Sequence, residues 1–269
     1  MSFSEQDLKN HADVALRLAD AARAETLKRF RSGATIFNKA GPWFDPVTDA
    51  DREAERVQRD MIEKLYPDHG VLGEEFGAIE KDGPWRWVLD PVDGTRAFMC
   101  GVASWATLIA LEYEGAPVLG LIDQPFTGER WLSFGGTTTY MRAGESVAAK
   151  TSGVTDISKA RLSTTDPLAS GYFSEMQADA FARVAKASRV ARFSLDAYAY
   201  ALLAIGEIDI VIESALQRHD YAALIPVVEG AGGVVTNWRG AAPGEDDEGE
   251  LVATATPELH EAVLKLLAD

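Results

Sequence analysis

Apolar residues recur at helical spacing near the start of the chain, and this pattern predicts an amphipathic helix over residues 5–31. A second helical pattern covers residues 48–65. Thr48 is a suitable N-cap for this helix, and Asp51 stands three positions later, as in a capping box. The loop between the two helices contains Gly33, Gly41 and Pro42.

Two short strands are predicted next, and each delivers carboxylates at its carboxyl end. Residues 71–73 lead to Glu74, and residues 86–89 lead to Asp90. Loops at strand ends commonly carry reactive groups, so this coincidence points to a site. Residues 104–134 then alternate short apolar runs with glycine-containing turns, which is typical of an antiparallel meander.

The pattern changes after about residue 150, where helical and strand-like segments alternate. Such alternation favours a second, more parallel sheet. We therefore expect two packed halves, residues 1–145 and residues 146–269, with an acidic, glycine-rich loop at 240–250. The predicted helices of the second half are 175–188, 196–205, 222–230 and 257–268, and its predicted strands are 208–212, 233–236 and 251–254.

The composition fits a globular enzyme rather than a binder of polyanions. The 269 residues are 46% hydrophobic and 25% charged, and the formal net charge is -16. This length allows one large domain or two closely packed halves. A nucleic-acid partner is not expected, because proteins that bind nucleic acids usually present a basic stripe.

The sequence also bears on the compartment. Cys100 is the only cysteine, so no internal disulfide can form, and a reducing compartment fits. The amino terminus lacks the charged region and apolar run of a secretory signal. No apolar stretch is long enough to span a bilayer. We therefore expect a cytoplasmic enzyme without a membrane partner.

Residues 90–95 (Asp-Pro-Val-Asp-Gly-Thr) carry the main chemical signal. The proline restrains the backbone, so the carboxylates of Asp90 and Asp93 and the carbonyl of Val92 can be presented in a fixed relation. All three groups are hard oxygen donors of the kind that Mg²⁺ prefers. The segment therefore predicts a magnesium site.

The next residues suit a phosphate, although each acidic motif also has a plainer interpretation. The N–H groups of Gly94 and Thr95 precede a predicted helix, where an anion is favoured. Asp-Pro and Asp-Gly also occur in plain turns. The alternative for Glu74 and Glu75 is a charged surface turn. For Asp220 it is a carboxylate at a helix start, a role compatible with metal binding.

Other chemistries find no support in the sequence. The four histidines are scattered, and no Cys/His cluster has the spacing of zinc ligands. No Gly-x-x-x-x-Gly-Lys-Ser/Thr motif is present, so a nucleotide-binding P-loop is unsupported.

Together these motifs resemble the inositol monophosphatase family. They occur in the family order with suitable gaps and cover most of the chain. The resemblance implies an α+β fold, a layered α/β/α/β/α sandwich with an antiparallel sheet in the first half and a mostly parallel sheet in the second. The matching segments are residues 45–51, 73–75, 87–95, 220 and 229–233.

The resemblance also implies a reaction and roles for particular residues. A homodimer would hydrolyse a small phosphomonoester with metal-activated water. Thr95 with Asp51 would orient that water. Glu75 would contact the metal ligands without binding metal directly, or hold a weaker third ion through water. Asp93 would also contact the substrate. Two or three Mg²⁺ ions would be held by Glu74, Asp90, the Val92 carbonyl, Asp93 and Asp220.

The substrate is predicted from departures within the family. Residues 93–98 read Asp-Gly-Thr-Arg-Ala-Phe, where inositol-directed members usually have Asp-Gly-Thr-Thr-Asn-Phe. Residues 194–200 and 222–226 look more like the histidinol-phosphate phosphatases. Asp196 and Glu213 could pair with the ammonium and imidazole of histidinol phosphate, groups that a neutral polyol lacks. The alternatives are a helix N-cap for Asp196 and a surface charge for Glu213.

We therefore predict a phosphatase of histidine biosynthesis that acts on histidinol phosphate. The alternative within the class is inositol 1-phosphate or a broad range of small phosphomonoesters. A metal-binding regulatory protein without turnover is the alternative from another class, and the intact acidic set argues against it. A phosphatase for sulfonucleotides or sugar bisphosphates is disfavoured, because the sequence shows no basic pocket for a second phosphate.

Overall fold

The computed structural model describes residues 3–38, 46–168, 171–244 and 248–268. Several residues considered above lie outside these ranges, namely Gly41 and Pro42 of the first loop, Asp45 of the early signature, and residues 245–247 of the acidic loop.

The first half of the described chain combines three helices with two sheets. The helices are α1 (Glu5–Leu27), α2 (Asp49–Leu65) and α3 (Thr95–Met99). The strands are β1 (Ile36–Asn38), β2 (Pro46–Thr48), β3 (Gly70–Gly73), β4 (Gly77–Ile79), β5 (Trp85–Asp93), β6 (Ala106–Tyr113), β7 (Ala116–Gln124), β8 (Glu129–Phe134), β9 (Thr137–Arg142) and β10 (Glu145–Ala148). β1 and β2 form a ribbon, and the others form one sheet in the order β10-β9-β8-β7-β6-β5-β3-β4. Its neighbours are antiparallel except for β3 and β5.

The second half is built around a five-stranded sheet. Its strands are β11 (Arg161–Thr164), β12 (Val190–Phe193), β13 (Ile210–Glu213), β14 (Val234–Thr236) and β15 (Leu251–Thr254), in the order β12-β11-β13-β15-β14. Four of these strands run in one direction, and β15 runs against them. The helices are α4 (Glu175–Ala187), α5 (Tyr198–Ala204), α6 (Arg218–Tyr221), α7 (Leu224–Glu229) and α8 (Pro257–Ala268), and a 3₁₀ turn covers Ile157–Lys159.

Alternation along the strands decides which layer each face covers. Trp87 of β5 packs with α1 and α2, whereas Val88, its neighbour, faces α5 and α7. In the second sheet, Val211 faces that same central layer, and Ile212 packs with α4 and α8. The order is therefore α/β/α/β/α, which confirms the predicted fold class. The second sheet is mixed rather than mostly parallel, with two parallel and two antiparallel pairs of neighbours.

The central core joins residues from both predicted halves, and the sheet of the first half extends through β10 to Ala148. The division into residues 1–145 and 146–269 stays a prediction. The helix predicted over residues 5–31 ends as an α-helix at Leu27 and continues as turns.

The strand predicted at 86–89 continues to Asp93, where it carries the candidate site. Its pairing with β6 shifts register between Asp90 and Asp93. Pro91 lies inside this shift, and a proline has no N–H to donate to a neighbouring strand. The irregular segment is therefore the place where side chains and carbonyls leave the regular sheet pattern.

Candidate active site

The irregular end of β5 carries two carboxylates, of which Asp90 is buried and Asp93 half-buried. Asp90 is 1% exposed, and its Oδ1 accepts the N–H of Val92 at 3.1 Å. Asp93 Oδ2 accepts the N–H of Ala197 at 2.6 Å. Ala197 belongs to the second half of the chain, so this bond ties β5 to the start of α5.

The start of α2 lies against the same segment. Asp51 Oδ2 accepts bonds from the N–H and the hydroxyl of Thr48 at 3.0 and 2.5 Å, which is the predicted capping box. The hydroxyl of Thr95 lies 3.1 Å from Asp51 Oδ1 and 3.1 Å from the Val92 carbonyl oxygen. The structure thus brings together Thr95 and Asp51, the two residues to which the resemblance assigns the attacking water.

Glu74 and Glu75 follow β3, which lies beside β5. Because the two strands are parallel, their carboxyl ends meet at one edge of the sheet, and the Glu74 N–H donates to the Leu89 carbonyl at 3.2 Å. The Glu75 side chain is 2% exposed and lies 3.9 Å from the Arg52 guanidinium. A charged surface turn is therefore the wrong interpretation for Glu75.

Asp220 reaches the site from the short helix α6. Its Oδ2 accepts the N–H of Gln217 at 2.6 Å, and its Oδ1 lies 3.4 Å from His219 Nε2. Asp220 is thus a carboxylate at a helix start, and it also lies beside Asp90 and Asp93. The two interpretations of this residue hold together.

The six predicted acids form two clusters. We call Asp51, Glu74 and Glu75 the first carboxylate group, and Asp90, Asp93 and Asp220 the second carboxylate group. Within each group, one oxygen from every residue lies within 4.8 Å of the others. Residues from four separate parts of the chain are therefore collected at one place.

The electrostatics of this place favour a bound cation. Burial, followed by the charge of Glu74 and then Asp93, raises the pKa of Asp90 well above its usual range. Burial and the charges of Asp196 and Asp220 do the same to the pKa of Asp93. Burial raises the pKa of Asp51 to about 7. Crowded, desolvated carboxylates with hard oxygen donors suit divalent cations such as Mg²⁺, so the residues present fit such a metal.

A cavity of about 370 Å³ opens beside the carboxylates, and Asp196 and Glu213 line it. Glu213 is 3% exposed and accepts bonds from the N–H and hydroxyl of Thr165 at 2.8 and 2.9 Å. Burial raises the pKa of Glu213 to about 8 and the pKa of Asp196 to about 6. Both acids lie in the predicted pocket.

The plainer interpretations of these two acids are wrong. Glu213 is buried rather than a surface charge. Asp196 does not cap α5, because the N-cap of this helix is Ala197 and no side chain accepts a capping hydrogen bond there. Asp196 packs on Gly94, where an added Cβ would lie 2.9 Å from the Asp196 carboxyl carbon. Gly94 also has φ +81°, so this position requires glycine for two reasons.

The comparison with protein families decides the assignment. The model of the inositol monophosphatase family matches residues 7–269. The chain belongs to the inositol monophosphatase family.

Individual members of the family show how similar the chain is. It is 42% identical over 240 residues to the chloroplastic bifunctional phosphatase IMPL2 of Arabidopsis thaliana, covering 88% of this chain and 67% of that protein. It is 35% identical to the histidinol-phosphatase of Mycobacterium tuberculosis, over 96% of this chain and 98% of that protein. A solved inositol monophosphatase from Zymomonas mobilis matches with a TM-score of 0.86 and 36% identity, covering 99% of this chain and all of that one.

Membership in the inositol monophosphatase family makes the chain a phosphatase that acts on small phosphomonoesters, and this family is metal-dependent. Among the helices in the described ranges, none has both the length and the apolar content needed to cross a bilayer.

Several cavity residues were missed by the sequence reasoning, among them Arg96, Tyr172 and Tyr200. Arg96 lines the cavity with its guanidinium 5.0 Å from the centre of the Tyr172 ring, so one basic side chain is present after all. Tyr200 also lines it and is 1% exposed. Arg96 follows the central motif directly, and that adjacency could have identified it. The two tyrosines carry no local signal, because only the fold brings them here.

Proposed function

We propose that this chain is a Mg²⁺-dependent phosphatase that hydrolyses histidinol phosphate. The observation that carries the proposal is the pair of acids in the cavity beside the carboxylate groups, the half-buried Asp196 and the buried Glu213. A neutral polyol can donate hydroxyl hydrogen bonds to such acids, but it has no positive charge to offset theirs. The 35% identity to a protein named histidinol-phosphatase is matched by 36% identity to a solved inositol monophosphatase, so the choice of substrate rests on the two acids.

The metal-binding residues in this proposal are the predicted ones. When bound, Mg²⁺ would neutralise the phosphate and lower the pKa of a coordinated water. Glu75, next to the ligands, would contact them without binding metal directly, or would support a weaker third ion. The N–H groups of Gly94 and Thr95 would donate to the phosphate. The ligands would be Glu74, Asp90, the Val92 carbonyl, Asp93 and Asp220.

Thr95 and Asp51 would handle the proton of the attacking water. The Thr95 hydroxyl already donates to Asp51 Oδ1 at 3.1 Å, so its oxygen is left to accept a bond from water. Because burial raises the pKa of Asp51 to about 7, this carboxylate can take up a proton near neutral pH.

Asp196 and Glu213 would recognise the cationic end of the substrate. Burial disfavours the charged form of both acids, and a neighbouring positive group would favour it again. An ammonium or imidazolium group in the cavity therefore gains charge-assisted hydrogen bonds that a hydroxyl group would not match. Asp93 lies next to Asp196 and would border the same part of the substrate.

A substrate panel tests this function. Purified protein with MgCl₂ should release phosphate from histidinol phosphate with a kcat/KM at least about tenfold above that for inositol 1-phosphate. Faster hydrolysis of inositol 1-phosphate would favour the inositol alternative. Lack of phosphate release from every substrate, with and without chelator, would favour a non-catalytic metal-binding protein.

A matched pair of variants tests the recognition site. Glu213→Gln should lower kcat/KM for histidinol phosphate about tenfold and leave that for p-nitrophenyl phosphate, which lacks cationic groups, within about twofold. Glu129→Gln is the control, because Glu129 is also buried and accepts two tyrosine hydroxyls at 2.7 Å. Equal losses on both substrates would remove Glu213 from substrate recognition.

The proposal keeps two expectations from the sequence, a homodimer and a cytoplasmic location. Sedimentation of the purified protein at micromolar concentration would test the first, and a single species with the mass of one chain would contradict it.

A further inference from the structure

The helix that carries Asp220 is too short to be stable on its own. α6 spans Arg218–Tyr221, and isolated helices become stable in water only at many times this length. Asp220 is also the one member of the second carboxylate group that comes from the second half of the chain. Its position relative to Asp90 and Asp93 must therefore be fixed by contacts outside α6.

Arg218 supplies such contacts to the first sheet. Its Nε donates to Glu112 Oε1 at 2.6 Å, and its Nη2 donates to the Gly115 carbonyl at 2.7 Å. The guanidinium lies 5.2 Å from the centre of the Tyr221 ring. Its side chain is 12% exposed and that of Glu112 is 0% exposed, so this ion pair is shielded from solvent.

Glu112 also accepts a hydrogen bond from a second arginine, Arg86, and a variant of Arg86 can therefore serve as the control. Arg86 Nε donates to Glu112 Oε2 at 2.7 Å. Arg86 lies on β5 and Glu112 on β6, so their bond joins neighbouring strands of one sheet. The bond from Arg218 to the same carboxylate instead joins the two halves of the chain.

We propose that Arg218 is a positioning residue, whose guanidinium clamps α6 to the first sheet and thereby holds Asp220 in the second carboxylate group. The proposal rests on the proposed function, in which Asp220 binds metal. A neighbour that orients a ligand commonly changes metal affinity by about 10- to 100-fold when it is lost.

The test measures Mg²⁺ binding by isothermal titration calorimetry with MgCl₂ alone and the full chain. Arg218→Met should raise the Mg²⁺ dissociation constant about tenfold, and Arg86→Met should change it less than about twofold. Both variants should lower the urea midpoint of unfolding, because each removes one arginine from the same buried carboxylate. The split between affinity and stability separates positioning from a general structural role.

Wild-type Mg²⁺ affinity in Arg218→Met, or equal weakening in Arg86→Met, would overturn the clamp. If Arg218→Met does not fold, Arg218→Lys and Arg86→Lys carry the test. Arg218→Lys keeps the charge but cannot engage Glu112 and Gly115 with a fixed fork, so its affinity should fall about threefold. Arg86→Lys should match the wild type, and equal affinity in both lysine variants would reject the clamp. If the wild-type protein binds no Mg²⁺, the proposed metal site is wrong, and so is the proposal that Arg218 positions Asp220 in it.

Discussion

The two carboxylate groups lie side by side but are held in different ways. The first group comes from α2 and the end of β3, and Asp51 accepts two bonds from the residue that caps its own helix. The second group combines the irregular end of β5 with α6 from the other half. The first group is thus fixed by nearby chain, and the second depends on how the two halves pack.

Electrostatics separates the groups further. In the second group, burial and neighbouring acids raise the pKa of Asp90 and Asp93 well above the usual range. In the first group, Glu75 lies 3.9 Å from Arg52, and hydrogen bonds from Thr48 partly offset the effect of burial on Asp51. We infer that a cation contributes more to the stability of the second group than to that of the first.

Removing a charge from the second group should have the largest effect. Asp93→Asn keeps an acceptor for the Ala197 N–H but loses the negative charge, so turnover should fall about 10³-fold or more with the fold intact. With chelator present, the variant should unfold a few degrees above the wild type, because one repelling buried carboxylate is gone. Phosphate release and thermal unfolding measure the two effects.

The control for Asp93→Asn is Asp60→Asn, in which a half-exposed acid of an ion pair with Arg56 is changed in the same way. It should leave both turnover and the unfolding temperature close to wild type. Retained turnover in Asp93→Asn would show that Asp93 is not a functional residue of the site, and that the chemistry does not depend on an intact second carboxylate group.

The first group has its own support in Glu55, one helical turn after Asp51. Glu55 is 0% exposed, and its oxygens accept the N–H groups of Glu75 and Phe76 at 2.8 and 3.2 Å. An added Cβ on Gly73 would lie 2.0 Å from Glu55 Oε1. Glu55 therefore fixes the turn that carries Glu74 and Glu75 against the helix that carries Asp51.

Glu55→Gln should weaken Mg²⁺ binding about fivefold, a smaller effect than in Asp93→Asn, because one amide oxygen can still accept an N–H. Calorimetry with MgCl₂ measures this change. Gly73→Ala should act in the same direction, since the methyl group displaces the Glu55 carboxylate.

Asp123→Asn is the matched control for Glu55. Asp123 is also 0% exposed, but its oxygens accept bonds from Arg23 and Arg130, whereas those of Glu55 accept the N–H groups of the turn after β3. It should lower stability without changing Mg²⁺ affinity. If Asp123→Asn weakened Mg²⁺ binding as much as Glu55→Gln does, the support of the first group would be a general stability effect.

Motifs that combine a backbone signal with a chemical one were predictable from the sequence. The Thr48 cap placed Asp51 at a helix start, and Pro91 marked the place where β5 leaves regular pairing. Both positions depend on a few adjacent residues, so local physics decides them. The fold class followed from the resemblance and from the change of pattern near residue 150.

Contacts between distant segments were not predictable in the same way. Glu112 reads as one polar residue of a strand, and nothing near it indicates that Arg218 would reach it. Tyr200 reads as part of an apolar helix face. The sequence analysis did not predict β1, β2, β4 or β9 to β12. Every residue of β1, β4 and β10 is exposed, so no alternation of apolar and polar residues marks these three strands. Only tertiary packing assigns these residues a place.

A pH series defines the background for the comparison. His260 is 5% exposed, both ring nitrogens contact threonine hydroxyls, and burial lowers its pKa to about 4. The folded state therefore resists protonation of His260 below pH 6.5, so the stability contributed by neutral His260 should fall as the pH drops from 6.5 towards 4. Acids of the site with raised pKa values, such as Glu213, act in the opposite direction, because the folded state binds their protons more readily. His260 should contribute a loss of about 1–2 kcal/mol by pH 5, after allowance for partial solvation.

Urea unfolding of the chelated wild type and of His260→Gln at pH 7.5, 6 and 5 isolates this contribution. Between pH 7.5 and 5 the wild type should lose about 1–2 kcal/mol relative to the variant, whatever the variant's absolute stability. An unchanged slope in that variant would assign the acid sensitivity elsewhere, for instance to His69, whose pKa burial also lowers to about 4. Since these histidines are uncharged above pH 7, the two carboxylate groups are best compared there. At pH 7.5, stability that MgCl₂ adds to the wild type but not to Asp93→Asn can then be attributed to the second carboxylate group.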